Sequence, residues 1–191
     1  MECKSDDEVA LLLMNNRQTT HRITECGILM ATALALSFVK LFHMPTGGSV
    51  SIGALPLFLI AARYGFKTSA VCGLGFGVLL IANGAYILHP IQFLLDYPLA
   101  YSCVAFASLI KWNTWLKAAT AITFANFIRL QFHVIAGAVF FAQGKENFGD
   151  ALAFSYAYNC GHMIPETIIC AAIVGYIAVK HQSLCSQQIS N

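Results

Sequence analysis

Six long apolar segments dominate this sequence and restrict the folds that are open to it. They lie at about 23–42, 51–64, 67–84, 90–110, 118–141 and 151–179. A bilayer core about 30 Å thick needs about 20 helical residues to cross it. Only 10% of the residues are charged, whereas soluble domains carry about 25%. The sequence therefore predicts an all-α fold, an integral six-helix bundle that crosses the plasma membrane several times.

The distribution of Lys and Arg predicts how this bundle is oriented. One set of helix ends carries seven basic residues, namely Arg17, Arg22, Arg63, Lys67, Lys111, Lys117 and Lys180, and the other carries only Lys40 and Lys145. Basic residues are retained on the cytoplasmic side of a membrane. We therefore expect both termini there, with cytoplasmic tails at 1–20 and 182–191 on either side of a membrane domain at 21–181. The basic residues are scattered and the net charge is only +2, so no nucleic-acid partner is expected.

Polar residues inside the apolar segments point to a function, because each is costly in lipid unless it pairs or lines a cavity. Their spacing places them on one face of each helix. The stripes are Gln92 and Asp96 in segment four, Asn126, Arg129, His133 and Gly137 in segment five, and Ser155, Asn159, His162 and Glu166 in segment six. A rise of about 1.5 Å per residue puts Asp96, His133 and Asn159 at one depth. We expect these three to line a pocket near the outer face, with Arg129 and Glu166 pairing below it.

The side chains expected in this pocket suit a small, flat, partly cationic solute. Asp96 supplies a counter-charge, and aromatic residues such as Tyr86, Tyr97 and Phe141 attract cations in a desolvated site. The cysteines are spread singly through the chain with no Cys/His cluster. We therefore expect no metal and no cofactor.

Two other functions remain open from the residues alone. No P-loop, GxSxG or HExxH pattern is present, so the chain is predicted not to be an enzyme, although a hydrolase built on Ser49 and His133 stays an alternative. A titratable relay of His133, Arg129, His162 and Glu166 would suit a solitary proton-coupled permease.

Several motifs resemble one family, the thiamine-binding membrane subunits (S-components, ThiT/YuaJ type) of energy-coupling factor transporters. The most specific are GGSVS in the first loop, the RYG-x-K connection, GAYI-x-x-P-x-Q and DYPLA. The later stretches R-x-x-x-H-x-x-x-G and YN-x-x-x-x-x-PE are similar to that family as well. The resemblance extends over about residues 23–180.

This resemblance implies a binding subunit that has no ATPase of its own. Such a subunit captures thiamine with high affinity near the outer face and delivers it to one coupling transmembrane protein and two ATPase subunits. Carried over by position, the ligand-binding residues are Tyr86, Asp96, Tyr97, His133, Gly137, Phe141 and Asn159. The family usually has Glu at the place of Asp96 and tryptophan at the place of Phe141, and the first loop around Thr46 has no aromatic residue. A different vitamin as ligand is therefore a further alternative.

Segment one carries a strip of small residues that lets another helix approach closely. Gly27, Ala31 and Ala35 follow one another at intervals of four residues. From the sequence alone, packing within the chain explains the strip equally well. In the family it resembles, the corresponding strip docks the coupling subunit, and we expect docking here.

Overall fold

The computed structural model describes residues 6–43 and 49–181, and most of these are helical. The helices are α1 (Asp6–Ser37), α2 (Leu55–Leu79), α3 (Pro90–Leu94), α4 (Ala100–Ser102), α5 (Trp115–Phe140) and α6 (Phe148–Lys180). Strands β1 (Lys40–His43) and β2 (Ser49–Ser51) pair as an antiparallel hairpin. Within the described ranges, three helical stretches are long and apolar enough to cross a membrane: Leu55–Asn83, Trp115–Phe140 and Phe148–Lys180.

Helices α5 and α6 begin at capping residues that the sequence supplies. Thr114 accepts a hydrogen bond from the backbone N–H of Lys117 at the start of α5. Asn147 accepts one from the backbone N–H of Asp150 at the start of α6. Such caps satisfy N–H groups that have no partner in the first helical turn. They therefore fix where these two helices start.

The first segment differs from its prediction at both ends. Helix α1 already begins at Asp6, so most of the predicted N-terminal tail is helical. The helix ends at Ser37, and the prediction that it runs to residue 42 is wrong. Lys40 and Phe42 pair instead with Ser51 and Val50 across the hairpin, which satisfies their backbone groups without a helix. The predicted C-terminal tail at 182–191 lies outside the described residues.

Segments two and three form one helical run that bends sharply at Gly65. Gly65 has φ 75° and ψ −173°, a conformation that glycine adopts without the steric cost of a side chain. The half before the bend is short, but Leu57, Phe58 and Ile60 in it are almost completely buried. The surrounding helices therefore shield this half.

Segment four is an interrupted helix rather than a continuous one. A π-helical turn covers Leu95–Leu99 between α3 and α4, and a 3-10 helix follows at Cys103–Leu109. Pro98 lies inside the π turn, where it removes a donor and widens the backbone. Gly77 of α2 passes so close that a Cβ there would lie 2.5 Å from Pro98. This close packing holds the turn that carries Asp96.

The basic residues of α1 and α2 meet at the Gly65 bend. Arg63 Nε lies 3.0 Å from Glu25 Oε1, and the hydroxyl of Tyr64 donates to the same carboxylate. Arg22 donates to the backbone oxygen of Tyr64 at 3.2 Å. These contacts fasten α1 to the bend.

Candidate functional site

A cavity of about 790 Å³ opens among the hairpin, the π turn, α5 and α6. All seven side chains or backbone positions predicted to bind a ligand line it, namely Tyr86, Asp96, Tyr97, His133, Gly137, Phe141 and Asn159. Sites for small molecules have volumes of about 300 to 1,000 Å³, so this cavity has room for a solute of vitamin size. Three separate polar stripes of the sequence therefore converge on one space.

A carboxylate and an imidazole form the polar centre of the cavity. Asp96 Oδ1 lies 3.0 Å from His133 Nδ1, and the two side chains are only 16% and 12% exposed. Gln92 Nε2 donates to the other oxygen, Asp96 Oδ2, at 2.7 Å. When the carboxylate is ionised, Nδ1 carries the hydrogen of the pair, so Nε2 of neutral His133 is an acceptor. This buried Nε2 has no hydrogen-bond partner among residues 6–43 and 49–181.

Asn159 reaches the cavity through a close crossing of α5 and α6. Its amide nitrogen donates to the backbone oxygen of Ser155 at 2.9 Å and to that of His133 at 3.5 Å. Gly137 lies at the crossing, where a Cβ would come within 2.1 Å of Ser155 Oγ. Gly137 therefore serves the site by letting the two helices approach.

Aromatic side chains lie where the cavity opens. Tyr86 and Phe141 are 64% and 41% exposed, and their ring centroids are 6.0 Å apart. The Tyr97 hydroxyl accepts a hydrogen bond from the backbone N–H of Tyr86 at 3.0 Å. Phe154 and Tyr158 line the cavity as well. Two of these rings, Tyr86 and Phe141, are thus more exposed than the Asp96 carboxylate.

A buried ion pair closes the deep end of the cavity. Arg129 Nη1 lies 2.5 Å from Glu166 Oε1, both side chains are 4% exposed, and the Arg129 guanidinium lies 4.1 Å from the Tyr101 ring centroid. The predicted pairing of these residues is confirmed. Asn126, the remaining member of the α5 stripe, does not line the cavity and donates instead to Thr167 Oγ1 at 2.9 Å.

Sequence reasoning missed the position of Lys40 and the role of Gln92. Ser49 and Ser51, which belong to the GGSVS motif, line the cavity together with Lys40 of the neighbouring strand, which had not been placed there from the sequence. Thr46 and the two glycines of that loop lie outside the described residues. Gln92 was placed on the Asp96 stripe without a role, although its i, i+4 spacing is the signal for a contact on a helix.

The small-residue strip of α1 lies on an open face. Gly27, Ala31 and Ala35 are exposed, whereas Cys26 and Ala33 of the same helix are buried. A Cβ added at Gly27 would meet nothing within 4 Å. Within the described chain, α1 therefore does not use this strip for its own packing.

Comparison with known proteins gives consistent matches. The family model for thiamine transporter protein (Thia_YuaJ) matches residues 23–186. The chain is 35% identical over 176 residues to thiamine transporter ThiT of Bacillus subtilis (strain 168). The aligned region covers 84% of this chain and 92% of that protein. It is 25% identical over 171 residues to ThiT of Lacticaseibacillus paracasei, covering 81% and 85% of the two. A solved structure of ThiT from Listeria monocytogenes superposes with a TM-score of 0.77 at 26% identity, covering 88% of this chain and 98% of that one.

Proposed function

The chain belongs to the Thia_YuaJ family of thiamine transporter proteins and is a multi-pass protein of the plasma membrane, and from this premise we propose that it is the high-affinity binding subunit of an ATP-driven importer. In this proposal it captures thiamine from outside the cell and has no ATPase of its own. An energy-coupling factor module, made of one coupling transmembrane subunit and two ATPases, drives release to the inside.

The Asp96–His133 pair inside an aromatic-lined cavity is the observation that carries this proposal. Thiamine is a cation that joins two flat heterocycles, one of them bearing an amino group. Tyr86 and Phe141 offer faces that attract a cation. Asp96 supplies a carboxylate, and His133 supplies a ring nitrogen that has no hydrogen-bond partner within 6–43 and 49–181. Each part of the ligand thus meets a group of matching chemistry.

The proposed arrangement in the membrane has six passes and both termini inside. The passes are α1, the two parts of α2 on either side of Gly65, the interrupted segment 90–109, α5 and α6. Arg22 and Arg63 lie together at one end, whereas Lys40 lies at the cavity. The excess of basic residues belongs on the cytoplasmic side, so the cavity opens outward.

Binding of thiamine to the purified chain tests the proposal directly. Asp96→Ala is expected to weaken binding by about two to three orders of magnitude, because it removes the charge partner of a desolvated cation. Asp150→Ala is the matched control, since Asp150 is an exposed carboxylate at the start of α6 that does not line the cavity. Isothermal titration calorimetry measures both. An Asp96→Ala affinity within a few-fold of the unaltered chain would show that this cavity is not the thiamine site.

The exposed strip of α1 supports docking of the coupling subunit. Ala31→Trp places a large side chain on this strip and is expected to prevent assembly while thiamine binding is retained. Ile168→Trp is the control, because Ile168 is 63% exposed on α6 and lies outside the strip. Co-purification with the coupling subunit and the ATPases measures assembly. Equal assembly of the two variants would contradict docking at α1.

A solitary proton-coupled permease is the second candidate. His133, His162, Arg129 and Glu166 all line the same cavity, and the two imidazole ring centroids are 6.4 Å apart. Uptake by cells without the ATPase module, abolished by an uncoupler, would favour the permease. Uptake that needs the module and ATP would favour the binding subunit. A competition panel of thiamine, its pyrimidine half and other vitamins separates thiamine from a different vitamin as the ligand.

A further inference from the structure

We propose that Gln92 is a positioning residue for ligand binding, which holds Asp96 and the segment carrying Tyr86 together as one preformed unit. This inference rests on the proposed thiamine site. It adds a residue that affects binding by positioning Asp96 and Tyr86. Gln92 is 1% exposed. Its amide makes hydrogen bonds on two sides, one toward the carboxylate and the other toward the backbone that precedes α3.

Both amide atoms of the Gln92 side chain are hydrogen-bonded. Nε2 donates to Asp96 Oδ2 at 2.7 Å and to the backbone oxygen of Tyr86 at 3.3 Å. Oε1 accepts from the backbone N–H of Leu88 at 3.0 Å. The segment between Gly84 and His89 is neither helix nor strand, so the backbone groups of Tyr86 and Leu88 depend on such partners. One side chain therefore ties this irregular segment to the carboxylate.

The partners of Gln92 also determine which way its amide faces. The Leu88 N–H can only donate, so the group facing it is the amide oxygen. The amide nitrogen then faces Asp96, whose ionised carboxylate can only accept. His133 holds the other carboxylate oxygen. Both oxygens of Asp96 are thus fixed in direction before a ligand arrives.

This arrangement lowers the cost of ordering the site when thiamine binds. A side chain or loop that is flexible in the free protein loses conformational entropy when it is immobilised on binding, and this loss weakens affinity. Tyr97 adds a second tie to the same segment, because its hydroxyl accepts from the Tyr86 N–H. Only Gln92, of these two residues, also bonds to Asp96. Loss of its amide therefore releases both the Asp96 carboxylate and the segment that carries Tyr86.

A double-mutant cycle tests whether Gln92 acts through Asp96. Gln92→Leu is expected to weaken thiamine binding at least about 10-fold in calorimetry, because both Asp96 and the Tyr86 segment are released. In the Asp96→Ala background the same change is expected to cost less than about 3-fold, since residues in one network are not additive. An equal loss in both backgrounds, or no loss in the first, would overturn the inference.

Asn126→Leu is the matched control for general destabilisation. Asn126 is also a buried amide, 3% exposed, with a side-chain partner at 2.9 Å, but it lies outside the cavity. Asn126→Leu is expected to lower the unfolding temperature as Gln92→Leu does, but to leave thiamine affinity unchanged. If Asn126→Leu weakens binding as much as Gln92→Leu, the loss reflects stability and the positioning role is refuted.

Two further measurements keep the inference testable. Gln92→Met keeps the length of the side chain but has no donor and only a weak sulfur acceptor. It replaces Gln92→Leu if that variant does not fold, and the same loss of thiamine affinity is expected. In the unaltered chain without thiamine, the amide of Leu88 is expected to be protected from hydrogen exchange; unprotected exchange would overturn the preformed unit. If the unaltered chain binds no thiamine, the proposed function is refuted as well. The other adverse results refute only the positioning role of Gln92.

Discussion

Gly137→Ala tests the crossing of α5 and α6 on which the site depends. The added Cβ would lie 2.1 Å from Ser155 Oγ, where 3.4 Å is ordinary contact. Ser155 cannot turn away cheaply, because its hydroxyl donates to Val134 O at 2.9 Å and accepts from Asn159 at 3.2 Å. Overpacking of this kind costs about 1 to 3 kcal/mol, and the better helix propensity of Ala offsets about 1 kcal/mol of it. We expect a net loss of up to about 2 kcal/mol of stability.

The same substitution is expected to weaken thiamine binding about 10-fold or more. Separation of the helices moves Asn159 away from His133, and a displacement of about 1 Å in a binding constellation has effects of this size. Thermal unfolding of the detergent-solubilised chain measures the stability, and calorimetry measures the affinity.

Gly27→Ala is the matched control for this prediction, since a Cβ there meets nothing within 4 Å. It is expected to leave affinity unchanged and stability unchanged or higher. Ser155→Gly removes the Oγ and Cβ atoms that would lie 2.1 and 3.2 Å from the new Cβ, so Gly137→Ala is expected to cost less stability in that background. Identical behaviour of Gly137→Ala and Gly27→Ala would refute the close approach.

Three other substitutions have defined outcomes. Phe141→Trp enlarges the π face beside the ligand and is expected to raise thiamine affinity about 2- to 5-fold in calorimetry; an unchanged affinity would count against a cation–π contact there. Glu166→Leu leaves the Arg129 charge buried and unpaired, so we expect it to lower the free energy of unfolding by about 3 to 5 kcal/mol, measured by thermal unfolding. The double variant Arg129→Met, Glu166→Leu is expected to lose less, because it leaves no unpaired charge. Gly77→Ala drives a Cβ against Pro98, 2.5 Å away, and is expected to reduce both stability and affinity by displacing the π turn; normal affinity would show that the turn does not depend on this contact.

The family resemblance drawn from the motifs is confirmed by the family match across residues 23–186. The convergence of Asp96, His133 and Asn159 was also predictable, because polar residues at helical spacing must share a face and lipid penalises them elsewhere. Their distances agree with it, with Asp96 3.0 Å from His133 and Asn159 3.5 Å from the His133 backbone. The roles of these residues in binding thiamine remain predictions.

The division into helices was less predictable than the site. Hydropathy separated segments two and three, whereas the backbone runs through both and bends at Gly65. A residue's apolar character does not report its φ, and only the surrounding packing selects the positive value that glycine permits. The end of α1 at Ser37 depended on pairing that apolar character does not report either, because the next residues join the hairpin of β1 and β2.

The sequence by itself determined that this chain enters a membrane, which of its polar residues face a common interior, and which family it resembles. These follow from composition, helical period and motif, all of which are local properties of the chain. The tertiary structure alone decided that Gln92 links Asp96 to the Tyr86 segment and that Gly137 lets α5 approach α6. The contact of Gln92 with Asp96 follows from their i, i+4 spacing. The contact of Gln92 with the Tyr86 backbone and the approach at Gly137 join atoms that come close only after folding, and no spacing along the chain encodes those distances.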